Sequence, residues 1–140
     1  MKLLLDTSFL IALKKRNPKA VSVFQGLIPQ ADDLLISTLS VYELLSGAHF
    51  LEKKYHTNQE NKIIRAMLSP LTEIPVTRSV VEHAAQIRAQ LLLAGKTIPD
   101  IDLLIACSSS EALILTYDHH FTHLEEFGFY IKFLSINPDS

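Results

Sequence analysis

The 140-residue chain has a single cysteine, Cys107, so it can form neither an internal disulfide nor a cysteine-built zinc framework. Cys107 closes the apolar stretch Leu103-Leu104-Ile105-Ala106-Cys107 and reads as a small buried hydrophobe rather than a nucleophile. That usage makes the reducing cytoplasm the expected compartment. No apolar run approaches the roughly 20 residues of a membrane span. The start, Met1-Lys2-Leu3-Leu4-Leu5, imitates a signal peptide only briefly. Asp6 breaks it, Lys14-Lys15-Arg16 follows, and no small-residue cleavage site appears, so a soluble, unexported protein is expected. Charge of one sign is also scarce: the formal net charge is -2, which argues against a protein that coats duplexes nonspecifically. A P-loop, a GxGxxG and a GxSxG are all missing, which removes support for the common nucleotide-binding and acyl-transfer sites.

What is present is a foldable composition, 48% hydrophobic and 20% charged, in a length suited to one ordinary domain. Short apolar runs at residues 2–5, 34–36, 71–76, 113–115 and 129–134 read as strands, the third of them weaker. Helical patterning separates them. Residues 9–15 start a helix that Asn17-Pro18 stops, and about 19–27 form a second, ended by Pro29. Ser37, Thr38 and Ser40 offer N-caps for a helix whose inner stripe is Val41, Leu44, Leu45 and Ala48. Asn58 caps another, carrying Ile63, Ile64, Met67 and Leu68. Thr77 opens a long helix with Val80, Ala84, Ile87 and Leu91 inside and Gly95 as C-cap, and Pro99-Asp100 opens a short one through about residue 109. Strands that read as continuous apolar runs, alternating with helices, predict a parallel sheet covered on both faces. The expectation is one α/β domain over residues 1–136 with a short, frayed tail at 137–140.

In such sheets ligands bind beyond the carboxyl ends of the strands. Asp6 ends the first strand, Glu43 lies early in the helix after the second, and Asp118 follows the fourth; these three can reach one edge. Asp102 begins a helix that follows another helix, and strand logic alone does not bring it there. Each acid also has a plain structural reading. Glu43 stands three residues after Ser40 as in a capping box, Asp100 or Asp102 can cap a helix, and Asp118 can hold the turn before His119-His120. Asp6 resists that reading, because it sits between Leu3-Leu4-Leu5 and Phe9-Leu10-Ile11, where a buried acid is costly unless paired or metal-bound. Carboxylates gathered at one site repel, raising at least one pKa until a cation relieves them. Magnesium prefers such oxygen ligands, and one or two ions can activate water against a phosphodiester.

Four segments then resemble the PIN-domain family, and within it the VapC toxins of toxin–antitoxin pairs. They are Leu5-Asp6-Thr7-Ser8-Phe9-Leu10-Ile11; Ile36-Ser37 through Tyr42-Glu43-Leu44 with Gly47; Ile98-Pro99-Asp100-Ile101-Asp102-Leu103-Leu104-Ile105-Ala106; and Leu115-Thr116-Tyr117-Asp118-His119-His120-Phe121. The resemblance implies a five-stranded parallel sheet in a three-layer α/β/α sandwich and a magnesium- or manganese-dependent endoribonuclease with one or two ions. It implies Asp6, Glu43, Asp102 and Asp118 as metal ligands and catalytic acids, with Ser8 and Thr116 as supporting hydroxyls. It also implies an RNA substrate, a cognate antitoxin and a homodimer. The chain departs from many relatives at His120, where an acid often precedes the Phe. Asp100 is an extra acid, read as an N-cap, and His119 and His120 are read as exposed turn residues.

Two other classes stay open at this stage. One is a non-catalytic PIN-like module that binds RNA or protein, or an orphan PIN nuclease of RNA processing. The other is a phosphotransfer or phosphatase domain, which Ser8 disfavours by standing where a second acid of that motif belongs. Lys14-Lys15-Arg16, Lys53-Lys54, Arg78, Arg88 and Lys96 read as solvated helix ends that hold phosphates only if they ring the acids. Residues near Phe50-Leu51 and from 63 to 68 suit either a partner surface or core.

Overall fold

Leu3, Leu4 and Leu5 fill the central strand of a five-stranded, all-parallel sheet, and none is more than 1% exposed. A strand buried on both faces needs apolar residues at every position, as the run supplies. The computed structural model describes residues 1–136, so the tail expected at 137–140 lies outside the described residues. The strands are β1 (Lys2–Leu5), β2 (Asp33–Ser37), β3 (Thr72–Ile74), β4 (Leu113–Thr116) and β5 (Tyr130–Phe133), in the order β3-β2-β1-β4-β5. Leu4 pairs with Leu35 on one side and Ile114 on the other, which puts all three on one face.

That face is covered by α5 (Arg78–Leu93) and α6 (Asp100–Cys107), through Ala84, Ile87, Leu91, Leu103 and Ala106. Leu3, Leu5, Ile36 and Leu115 point to the opposite face, under α1 (Thr7–Lys14), α2 (Pro18–Leu27), α3 (Thr38–Tyr55) and α4 (Gln59–Leu68). The result is the three-layer α/β/α sandwich expected from the sequence. β1 leads outward to β2 while the chain later returns to lay β4 on its other side. The gap between the ends of β1 and β4 is therefore the topological switch point where such sheets bind ligands.

Several local features differ from expectation. α1 starts at Thr7 because Asp6 is its N-cap, accepting from the Ser8 amide. Asn17 caps α2 through its bond from Ala20 N at 3.1 Å, so it starts one helix as much as it stops another. β3 is three residues long rather than six. A 3-10 helix at His119–Phe127 fills a stretch that has no 3.6-residue period. Among the described residues, no helix is long and apolar enough to cross a membrane.

Candidate active site

The site begins with where β1 stops. After Leu5 faces α1, the next residue must face α6, and that residue is Asp6, only 3% exposed. Its Oδ2 atom collects the Ser8 hydroxyl at 2.7 Å, the Thr116 hydroxyl at 2.8 Å and the Ser8 amide at 3.4 Å. Those donors leave Oδ1 as the oxygen not tied by Ser8 or Thr116. Both hydroxyls are held in turn, since Ser8 Oγ accepts from Tyr117 N and Thr116 Oγ1 from Asp118 N, each at 2.9 Å. The ends of β1 and β4 are thus sewn together around one carboxylate. Burial pushes the Asp6 pKa up, against the hydrogen bonds that favour its charge.

Asp6, Glu43, Asp102 and Asp118 all line a single cavity of about 530 Å³, with Thr7, Ser8, Ile11 and the Pro99–Asp102 turn completing its wall. Glu43 lies in α3 on the same edge, where Thr7 Oγ1 donates to its Oε1 at 2.6 Å. Thr7 Oγ1 is also 3.0 Å from Ser40 Oγ. The capping-box reading of Glu43 does not hold: Ser37 caps α3 through Leu39 N at 3.2 Å, and Ser40 is buried inside the helix. Thr7 was not among the residues singled out from sequence. Its partner lies 36 positions away, so no local pattern marks it.

Asp102 stands in the first turn of α6, but neither it nor Asp100 caps that helix; Pro99 holds the N-cap position with no side-chain bond. Asp100 instead accepts from Arg88 Nε at 2.9 Å on the cavity rim. The Asp102 carboxyl is pushed up to about 8 by burial, by its hydrogen bond with Asp118, and by the charges of Asp6, Asp118 and Glu43. Burial also works against the charge of Asp118. There the amide and imidazole of His120 and the Asp102 carboxyl prevail and hold its pKa below the ordinary value. Both His120 bonds fall on Asp118 Oδ1, from N at 2.9 Å and to Nδ1 at 2.7 Å. Asp102 is thus the acid whose charge the others oppose, and its carboxyl is the one held up to about 8.

The donor set of Asp6, Glu43, Asp102 and Asp118 in one cavity is the fit test for a cation. A set of oxygen donors with more negative charge than it can hold suits a hard divalent ion that keeps several waters. Three of the four carboxylates are already oriented by neighbours: Asp6 by Ser8 and Thr116, Glu43 by Thr7, and Asp118 by His120.

Four of the lysine and arginine side chains are paired with acids, Arg88 with Asp100 among them. Lys14 pairs with Glu60, Arg78 with Glu82 and Lys96 with Glu126. Lys54 lies over the rings of Phe50 and Tyr55. Among the described residues, Arg88 reaches the rim through its pair with Asp100.

Residues 3–126 match the PIN domain family. Ribonuclease VapC2 of Haemophilus influenzae is 32% identical over 116 residues, which is 82% of this chain and 84% of that protein. The tRNA(fMet)-specific endonuclease VapC of Shigella flexneri is 27% identical over 106 residues, 76% of each. Among solved structures, VapBC2 from Rickettsia felis bound to a promoter DNA fragment matches with a TM-score of 0.80 at 21% identity, over 94% of this chain and 98% of that one. DNA-bound VapBC from Salmonella typhimurium matches with a TM-score of 0.73 at 25% identity, over 94% and 97%.

Proposed function

The chain belongs to the PIN-domain family and is VapC-like, and from that premise we propose that it is a magnesium- or manganese-dependent endoribonuclease, the toxin of a toxin–antitoxin pair. The observation that carries the reading is the cavity that Asp6, Glu43, Asp102 and Asp118 together line at the switch point of the sheet.

In this reading Asp6, Glu43, Asp102 and Asp118 hold one or two ions. A bound ion supplies a lowered pKa for a water nucleophile and stabilises the leaving oxygen of the phosphodiester. The chain's own residues prepare the place. Ser8 and Thr116 fix Asp6 Oδ2 and so aim the carboxylate. Thr7 holds Glu43 through its hydroxyl. Asp102, whose carboxyl is raised to about 8, would ionise to serve as a ligand, because ligation requires the carboxylate. With an opening lined by acids, RNA contributes its phosphates and the cation offsets their charge.

The names of the relatives support the biological side of this proposal. The H. influenzae protein is a ribonuclease, the S. flexneri protein is a tRNA endonuclease, and the R. felis and S. typhimurium structures are VapBC complexes. We extend these to an RNA substrate, a cognate antitoxin and a cytoplasmic homodimer for this chain. Phe50 and Ile63 are exposed apolar side chains on α3 and α4 available to such partners, whereas Ile64 belongs to the core.

The test is cleavage of structured RNA by purified protein with Mg²⁺ or Mn²⁺, compared with EDTA. Asp6→Asn and Asp102→Asn should abolish cutting while circular dichroism stays native. Cutting that survives EDTA and both substitutions would overturn the proposal.

A further inference from the structure

Asp118, His119 and His120 are the one group of three histidine, cysteine or acidic side chains among the described residues whose candidate donor atoms all lie within 4.8 Å of one another. The local backbone produces this. Asp118 N-caps the 3-10 helix, and its bond from His120 N bends the chain so that the His120 ring returns to the same carboxylate oxygen. The His119 ring lies beside it, with centroids 4.2 Å apart and planes tilted by 31°. Asp118 and His120 are half-buried while His119 is exposed, so the group opens to solvent beside the acidic cavity that Asp118 lines.

We propose that these three side chains form a second, chemically different metal position, which takes an imidazole-seeking divalent ion of the Zn²⁺ class. Two imidazole nitrogens and one carboxylate oxygen make a donor set found in zinc sites with an open position. Imidazole favours zinc, nickel or copper, whereas the all-carboxylate cavity favours magnesium or manganese. The spacing is close to that of a coordination shell. With bonds of about 2.1 Å, neighbouring ligands lie about 3.0 to 3.4 Å apart. Asp118 Oδ1 and His120 Nδ1, at 2.7 Å, need to open by only a few tenths of an ångström. The exposed His119 ring can turn inward to complete the set, since surface rotamers exchange on the ps–ns scale.

Asp118 has two carboxylate oxygens, and both His120 bonds use Oδ1. The Asp118 carboxyl also hydrogen-bonds with Asp102 in the acidic cavity, so one carboxylate borders both positions. This sharing rests on the functional reading above, whereas ion binding by the three residues does not.

The experiment is calorimetric titration of Zn²⁺ into the metal-free full chain in excess Mg²⁺, which keeps the oxygen-lined cavity occupied. One Zn²⁺ per chain is expected. The His119→Asn, His120→Asn double variant should bind it at least about 10-fold more weakly, a loss at the low end of that seen when metal-site partners are removed. His56→Asn, an exposed histidine at the end of α3, should leave Zn²⁺ affinity unchanged. Substituted Co²⁺ should give visible absorption bands in the wild type that the double variant loses. Zn²⁺ affinity that ignores both histidines, or that falls equally in His56→Asn, would overturn the proposal. Failure of RNA cleavage with Zn²⁺ binding intact would sink the nuclease reading alone.

Discussion

Thr116 Oγ1 donates to Asp6 Oδ2 at 2.8 Å, a buried hydrogen bond between side chains 110 residues apart. It joins the ends of β1 and β4 at the switch point, and the same hydroxyl accepts the Asp118 amide. Thr116→Val keeps the shape and removes both bonds. The expected cost is about 1–3 kcal/mol of stability, read by urea denaturation, because a buried carboxylate loses a donor and an amide its acceptor. Mg²⁺ affinity should fall about 10- to 100-fold by calorimetry, with Thr116→Ser close to wild type. An unchanged Mg²⁺ affinity in Thr116→Val would count against its role in holding Asp6.

The folded chain without metal should lose stability as pH rises from about 4 to about 8. Asp102 keeps its proton up to about 8 when folded, against an ordinary value of 3.8, so within that window the folded state binds more protons than the unfolded one. Asp6, also raised by burial, acts in the same direction. Asp118, held low, contributes oppositely; its stabilisation is lost only as pH falls through its lowered folded-state pKa. Calorimetric melting in EDTA should show Tm falling across the window, with a smaller slope in Asp102→Asn. Identical slopes would contradict the raised Asp102 pKa.

Thr7 Oγ1 donates to Glu43 Oε1 at 2.6 Å, and Thr7→Val leaves that carboxylate without its guide. The kcat for RNA cleavage should drop about 10- to 100-fold with little change in KM, as for loss of a group that orients a metal ligand. Thr7→Ser should restore most of it. An equal loss in both variants would assign the effect to packing rather than to the hydroxyl.

Cys107 is buried and burial pushes its thiol up to about 12. Too little thiolate forms at neutral pH for attack. Iodoacetamide labelling should therefore be slow in the native protein and track the unfolded fraction in urea. Fast native labelling would contradict the inert-core assignment.

The strands were readable because each side of the sheet is covered and the runs are short and apolar; Leu3-Leu4-Leu5 and Leu113-Ile114-Leu115 needed no distant information. Asp6 was readable for the same reason, as an acid that interrupts a buried run. Glu43 was harder, because Ser40 sits at capping-box spacing while Ser37 is the real cap. Strand logic did not place Asp102. The entry of α6 at the cavity depends on its packing against α5 and the sheet, a tertiary outcome. Thr7 and the pairing of Asp100 with Arg88 were missed because their partners are remote or on another helix. The 3-10 helix at His119–Phe127 was missed because its repeat carries no helical stripe, and with it the approach of His119 and His120 to Asp118.

Titration of Mg²⁺ into metal-free protein at neutral pH tests whether Asp6, Glu43, Asp102 and Asp118 make a divalent-metal cavity. Run in two buffers of different ionisation heat, the titration reads binding and proton release together. The prediction is saturable binding with release of close to one proton, because Asp102 must ionise to become a ligand. Asp102→Asn should remove the proton release and weaken binding, and Asp6→Asn should weaken binding as well. Absence of Mg²⁺ binding, or binding that is unaltered when Asp6 and Asp102 are both replaced, would contradict the account.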